Sequence, residues 1–219
     1  MDIDILKSYI PLYKDALFLT MKIGWQGILL SLLLGLVGAA IYHFKVSVFK
    51  IIVGIYVELF RNTPLLVQLF FIYFALPKIG MNISAEACGV LGLGLLGGAY
   101  MIETFRSGLE SIPIIQMESA ASLGMTRVQI FINVILPQAV SVSVPGLLAN
   151  VIFLLKETSV FSTISLMDLM FTAKDLIGMY AKTIECLFLL VVFYLIMLLP
   201  VSLLGAIIER RARYGQFGD

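Results

Sequence analysis

Charge is scarce in this sequence. Only 13% of its 219 residues are Asp, Glu, Lys or Arg, against about 25% in a soluble domain. A net charge of +1 leaves no basic surface of the kind nucleic acid requires. Cysteine is almost missing: Cys88 and Cys186 sit in or beside apolar runs, form no C-x-x-C pair, and read as free buried thiols rather than zinc ligands. The single histidine, His43, lies at the end of an apolar run and offers no metal centre. No basic cluster precedes the first apolar run. At about residues 16–42 that run is far longer than a signal-peptide core of about 7–15 residues, so a retained span is expected. A nucleotide motif is lacking as well. The glycine-rich GVLGLGLLGG (89–98) has no G-K-[ST] ending and reads as close helix packing. No internal repeat or linker stands out, so 1–219 is taken as one membrane domain.

What is present is apolar. Hydrophobic residues make up 60% of the chain and the mean hydropathy is +1.03, which implies an all-α integral membrane protein. Runs long enough to cross hydrocarbon lie at about 16–42, 48–76, 86–106, from Pro137 to about 156, and 184–208. The second is irregular, because Glu58 and Arg61 interrupt it and Thr63-Pro64 suggests a break. Either this helix enters obliquely with Arg61 reaching a headgroup, or the part before Pro64 lies along the surface. The stretch 158–183 predicts a short helix at the outer rim. Lys45, Lys50, Arg106, Arg127 and the tail cluster Arg210, Arg211 and Arg213, with Arg61 counted beside the first connection, face Lys7, Lys14, Lys78, Lys174 and Lys182 across the spans. The compact tail cluster favours a C-terminus inside. Five spans then put the N-terminus outside and residues 111–137 in the cytoplasm.

That cytoplasmic segment reads as two short helices with a bend. QMESAASLG forms the first, small Ser119, Ala120, Ala121 and Ser122 permit close approach of another surface, and Gly124 turns the chain. Thr126 caps the second, with Val128, Ile130, Phe131, Val134 and Ile135 partly on one face and Pro137 as its boundary. By these residues alone it could also be an ordinary interfacial hairpin.

Glu118, Ala120 and Gly124, followed by Val134, Leu136 and Pro137, resemble the EAA loop of ABC-transporter permeases. That pattern runs E-A-A, three residues, Gly, nine residues, I-x-L-P, and only Ser119 and Val134 depart from it. YVELFRNTPLLVQLFFIYFALP, GGAYMIETFRSGLESIP and LLKETSVFSTIS resemble further stretches of the polar-amino-acid branch of that family. The resemblance implies a type I ABC importer permease with five transmembrane helices per subunit, in the bacterial cytoplasmic membrane. It implies a second permease copy or paralogue, two ABC ATPase subunits and an extracytoplasmic amino-acid-binding protein as partners. It also implies that the chain holds no cofactor, ATP and Mg2+ belonging to the partner ATPase, and that Glu118, Ser119, Ala120, Gly124, Leu136 and Pro137 form the coupling surface.

Charges inside spans are costly and point to function. Lys156 and Glu157 lie near the middle of the apolar stretch 139–171, Glu103 in the third span and Glu58 and Arg61 in the second, and Thr158 and Ser159 add hydroxyls. A zwitterionic amino acid needs an acceptor for its ammonium and donors for its carboxylate. These residues are therefore candidates for lining its site, with helix-to-helix neutralisation as the alternative. Lys22 is expected to snorkel outward. A self-sufficient secondary transporter or channel is the competing function, although such proteins usually show more spans or internal symmetry.

Overall fold

The computed structural model describes residues 3–43 and 47–217, with side chains for 4–42 and 48–212. Lys45 and the side chains of His43 and Arg213 fall outside the described residues. Every regular element among those described is helical. Helix α1 is Ile3–His43, α2 is Ser47–Arg61 and α3 is Leu65–Phe70, which runs on through a π turn, Phe71–Ala75, and a 3-10 turn, Leu76–Ile79. Then come α4 (Ala85–Glu110), α5 (Ile114–Ser122) and α6 (Arg127–Ile130), the last continuing through a second π turn (Phe131–Ile135) into α7 (Leu136–Glu157). A 3-10 run (Thr158–Ile164), α8 (Leu169–Tyr180) and α9 (Thr183–Phe217) complete the chain.

Among the described residues four continuous stretches are long and apolar enough to cross a membrane: Asp4–Tyr42, Ala85–Glu110, Arg127–Ile164 and Thr183–Ala212. The bent pair Val48–Arg61 and Leu65–Ile79, angled at 105°, would be a fifth crossing. Packing of α1 on α4 decides that it is. The two helices run parallel, with Gly27 on Leu93, Gly35 on Met101 and Gly38 on Ile102. One end of the pair is marked by the ion pair of Lys22 with Glu86 at 2.8 Å. The other is marked by Arg106, 5.9 Å from the ring centroid of Tyr42. A chain that leaves α1 beside Arg106 and enters α4 beside Lys22 has been carried back along the length of α4, about 30 Å at 1.5 Å per residue.

Glycine makes this packing possible. A Cβ at Gly94 would strike Leu30, and one at Gly97 would strike Ser31 and Leu154. Small-residue faces of this kind bring membrane helices together where no hydrophobic effect drives them, so the reading of 89–98 as a packing surface holds. Helix α7 lies antiparallel to α4: Ser143 meets Gly108, Asn150 donates to Thr104 Oγ1 at 2.9 Å, and Leu154 meets Gly97. Helix α9 runs parallel to α1, with the Tyr13 hydroxyl donating to the Cys186 carbonyl at 2.7 Å. The beginning of α1 and the end of α9 therefore lie at opposite ends of the bundle, as an odd number of crossings requires. Helix α8, in the stretch expected to hold a short helix, packs Leu169, Ala173 and Leu176 against Tyr13 and Phe193. Cys88 and Cys186 are buried and free.

Lys22 extends to the end of the α1–α4 pair, where its half-exposed ammonium meets Glu86 at 2.8 Å. Two expectations change. The first helix begins at Ile3, because its opening turns are held in the contact between α8 and α9. Pro137 is no boundary: the helix from Arg127 to Glu157 is unbroken, the π turn before the proline widening the coil where an N–H is missing.

Candidate functional site

Two features stand out from this frame: a charged hollow beside the broken second crossing, and an exposed hairpin at the α6 end of the bundle.

Two adjoining hollows, of about 440 Å³ and 520 Å³, share Arg61 and Tyr100 in their walls. The first is completed by Glu103, Thr104, Arg106 and Ser107 with α7 residues. The second is completed by the break itself, Asn62, Thr63 and Pro64, and by Phe153 and Glu157. Each element contributes for a local reason. Helix α2 ends at the break, so its last residue, Arg61, overhangs the gap. Its guanidinium lies 5.4 Å from the Tyr100 centroid and 3.6 Å from a Glu103 carboxylate oxygen. Arg106, one turn along α4, holds the same carboxylate at 2.7 Å and reaches Glu110 at 3.0 Å. Glu103 is thus shared between two arginines. Across the hollow, Glu157 ends α7 with no ion pair or hydrogen bond among the described residues. Leu154, one turn before it, meets Gly97 near the midpoint of α4, so Glu157 sits near mid-depth.

The expected site residues divide accordingly. Glu103 lines the first hollow from within α4, and Glu157 lines the second. Glu157 is the last residue of α7, where the helix gives way to the 3-10 run. Lys156 is exposed and lines neither hollow. Thr158 is fully buried, donates to the Leu155 carbonyl at 2.7 Å and packs toward Gly24 of α1, away from the hollow. Ser159 is half-buried and is not in its wall. Glu58 stays outside, accepting from Asn62 Nδ2 at 3.0 Å. Arg61, for which the sequence left a headgroup contact and a surface segment both open, lies with Tyr100 in the walls of both hollows. Tyr100, Thr104 and Arg106 were not singled out as site residues. A signal for them existed in the i, i+3 spacing of Glu103 and Arg106 within one apolar span.

The hairpin is built by explicit capping. Helix α5 closes in a Schellman arrangement, Gly124 N–H to Ala121 O at 2.9 Å and Met125 N–H to Ala120 O at 3.2 Å, with Gly124 at φ +81°. Thr126 then caps α6 through a reciprocal pair with Gln129. Gln138 donates to Gln116 and ties the hairpin's arms. Of the expected coupling residues, Glu118, Ser119, Gly124 and Pro137 are exposed. Ala120 is buried with Ile112, Ile130, Ile135 and Ala139, so it shapes the hairpin from inside. Leu136 lines an apolar hollow of about 180 Å³ with Phe131 and Leu36. The projecting surface is apolar: Leu123 is 84% exposed, and Ile114, Ile115 and Val128 are exposed beside it.

Comparison with known proteins gives a consistent picture. Residues 16–214 match the family described as binding-protein-dependent transport system inner membrane component. The chain is 37% identical over 176 residues, 79% of either chain, to a probable amino-acid ABC transporter permease protein, PatM, of Vibrio harveyi. It is 35% identical over 80% of either chain to a probable glutamine ABC transporter permease protein, GlnP, of Bacillus subtilis (strain 168). A crystal structure of an amino acid ABC transporter with histidines superposes with a TM-score of 0.90 at 34% identity, covering 96% of this chain and 99% of that one. The MetNI methionine ABC transporter, in an inward-facing conformation, shares the fold at a TM-score of 0.77 and 17% identity, over 94% and 98% of the two chains.

Proposed function

This chain belongs to the family of binding-protein-dependent transport system inner membrane components, and on that premise we propose that it is the multi-pass permease subunit of an ATP-driven importer of polar amino acids. Its seat is a bacterial cytoplasmic membrane. Two copies, or this chain and a paralogue, form the pathway; two ATPase subunits below hold the ATP and Mg2+; an extracytoplasmic binding protein delivers the amino acid. The observation that carries this reading is the unbroken helix from Arg127 to Glu157. One end of it is the exposed hairpin and the other is the free carboxylate of the hollow, about 45 Å apart at 1.5 Å per residue. A partner that grips the start of this helix, around Arg127 and Val128, moves Glu157 with no break between them.

The chemistry of the hollow suits a zwitterion. Arg61 offers donors for a carboxylate, and Glu157 offers an acceptor for an ammonium from the facing wall. Tyr100 and Phe153 supply apolar and ring surface, and Asn62, Thr63 and Thr104 supply neutral polar groups. Rocking of the lever changes the distance between the two charged groups, which is how alternating access would release what they hold.

The test is uptake and ATP hydrolysis by the complete transporter in proteoliposomes. Glu157→Gln should lower uptake at least tenfold while the subunits still co-purify. Gly124→Trp should abolish both uptake and substrate-stimulated hydrolysis, because the left-handed turn admits only glycine cheaply. Normal uptake in both variants would remove the assignment. Transport by this chain alone would favour a self-sufficient carrier or channel.

A further inference from the structure

Gln68 is a polar residue in an apolar helix, only 8% exposed, with buried Leu65 and Leu69 beside it. Its carboxamide nitrogen reaches back across the break, donating to the Phe60 carbonyl at 3.1 Å, the Thr63 carbonyl at 3.1 Å and Thr63 Oγ1 at 2.9 Å. Thr63 Oγ1 in turn donates to the Leu59 carbonyl at 2.8 Å. Phe60 and Leu59 are in the last turn of α2, whose carbonyls have no helical donor. Gln68 and Thr63 supply the donors. The other end of the carboxamide is left without a partner: Gln68 Oε1 is buried and accepts no hydrogen bond. An unsatisfied buried acceptor is destabilising, so the residue is held there for what its nitrogen does.

The segment spanned by these bonds, residues 61–66, is the wall of the larger hollow. We propose that Gln68 is the positioning residue of the hollow: by tying α3 to the end of α2 it fixes the 105° bend and so aims the Arg61 guanidinium over Tyr100 and beside Glu103. This rests on reading the hollow as the amino-acid site. Gln68 lines neither hollow and touches no substrate; it acts through Arg61. The break at Thr63-Pro64 would otherwise leave α2 joined to α3 by a short connection, with the face of α2 bearing Ile51, Ile52 and Ile55 exposed.

A double-mutant cycle tests this, using the complete transporter in proteoliposomes with spin labels on exposed Ile52 and Phe70 to read the bend. Arg61→Gln and Gln68→Met should each lower amino-acid uptake at least tenfold. The double variant should be no slower than Arg61→Gln alone, since a residue acting only through Arg61 has nothing left to lose. The distance distribution between the labels should broaden in Gln68→Met and stay narrow in Arg61→Gln. Multiplicative losses, or an unchanged distribution in Gln68→Met, overturn the proposal. A broadened distribution with normal uptake by Arg61→Gln keeps the clamp and rejects the hollow as the site. Gln68→Glu retains size and Oε1 but lacks the donors. If neither it nor Gln68→Met assembles, Gln68 holds the fold rather than Arg61, and the proposal fails.

Discussion

FIYFALP (71–77) and FINVILP (131–137) carry phenylalanine, isoleucine, leucine and proline at the same places, and each folds as a π turn. In both, the leucine N–H reaches back five residues, Leu76 to the Phe71 carbonyl and Leu136 to the Phe131 carbonyl. The following proline has no N–H, and its ring would collide with the carbonyl four residues earlier in a regular helix. The wider turn accommodates both problems. Beyond the proline the two regions part. After Pro77 the chain makes a 3-10 turn and stops at Gly80, at φ +88°, where Gly80 and Met81 bond back to Pro77 and Leu76. After Pro137 the helix continues to Glu157, because Ala139 and Ser143 pack on Gly108 and Ser143 bonds the Ala139 carbonyl at 2.7 Å. The same local device ends one helix and leads on into the other. Packing on α4, which one segment has beyond its proline and the other lacks, decides the outcome.

The largest effect is expected from breaking the lever just past its turn. Ala139→Pro would remove a helical donor and force a ring against α4, costing about 3 kcal/mol or more. Uptake and stimulated ATP hydrolysis should both vanish, and retained coupling would show that the helix need not be continuous. Next is the start of α8, beyond the lever and its 3-10 run, where the buried Asp168 accepts from Phe171 and Met170 N–H at 3.0 and 3.2 Å. Burial raises its carboxyl from the ordinary 3.8 to about 6, against the pull of those N–H groups and of Lys174. The folded protein therefore holds this proton more tightly than the unfolded chain does. This group's contribution is most favourable below about pH 4 and is lost as the pH climbs through 6, on the order of 3 kcal/mol in total. Asp168→Asn keeps a capping oxygen and should flatten the fall in melting temperature across that window; an unchanged pH profile would remove Asp168 as its cause.

The two turns can then be exchanged in kind. Pro137→Ala restores an N–H, lets the π turn tighten and rotates the hairpin against α7 by about 100°, one residue's worth of helix. Uptake should drop about tenfold with assembly intact. Pro77→Ala, at a helix that ends anyway, should leave uptake within about twofold, and equal effects from the two would erase the distinction. Smallest is Gly80→Ala. Nothing crowds a Cβ there, but the left-handed backbone costs an alanine about 1 kcal/mol. The melting temperature should fall slightly while uptake is unaffected.

Much of this was readable in the chain. Thr126, Gln129 and Gly124 announce a capped turn because capping is local chemistry, complete within a few residues. The glycine run 89–98 announces a packing face for the same reason. The lever was not readable, since Pro137 carries the same warning of a break as Pro64 and only the partner helix tells them apart. Arg61 stayed undecided between a headgroup and a surface segment because a charge near a span end looks alike whether it meets a headgroup or Glu103. Ala120 looked like a contact for a partner because smallness does not say which way a residue faces.

Composition alone made this a helical membrane protein, since hydrocarbon accepts no other open backbone and 60% apolar residues leave few other places to go. Local sequence likewise set the hairpin's caps, the break at Pro64 and the two widened turns. Tertiary structure alone decided that the bent pair crosses, that one π turn leads on into a long helix rather than ending one, and that Arg61 and Glu157 face the same hollow. Those outcomes depend on which distant helix lies alongside, and no pattern within a single segment carries that information.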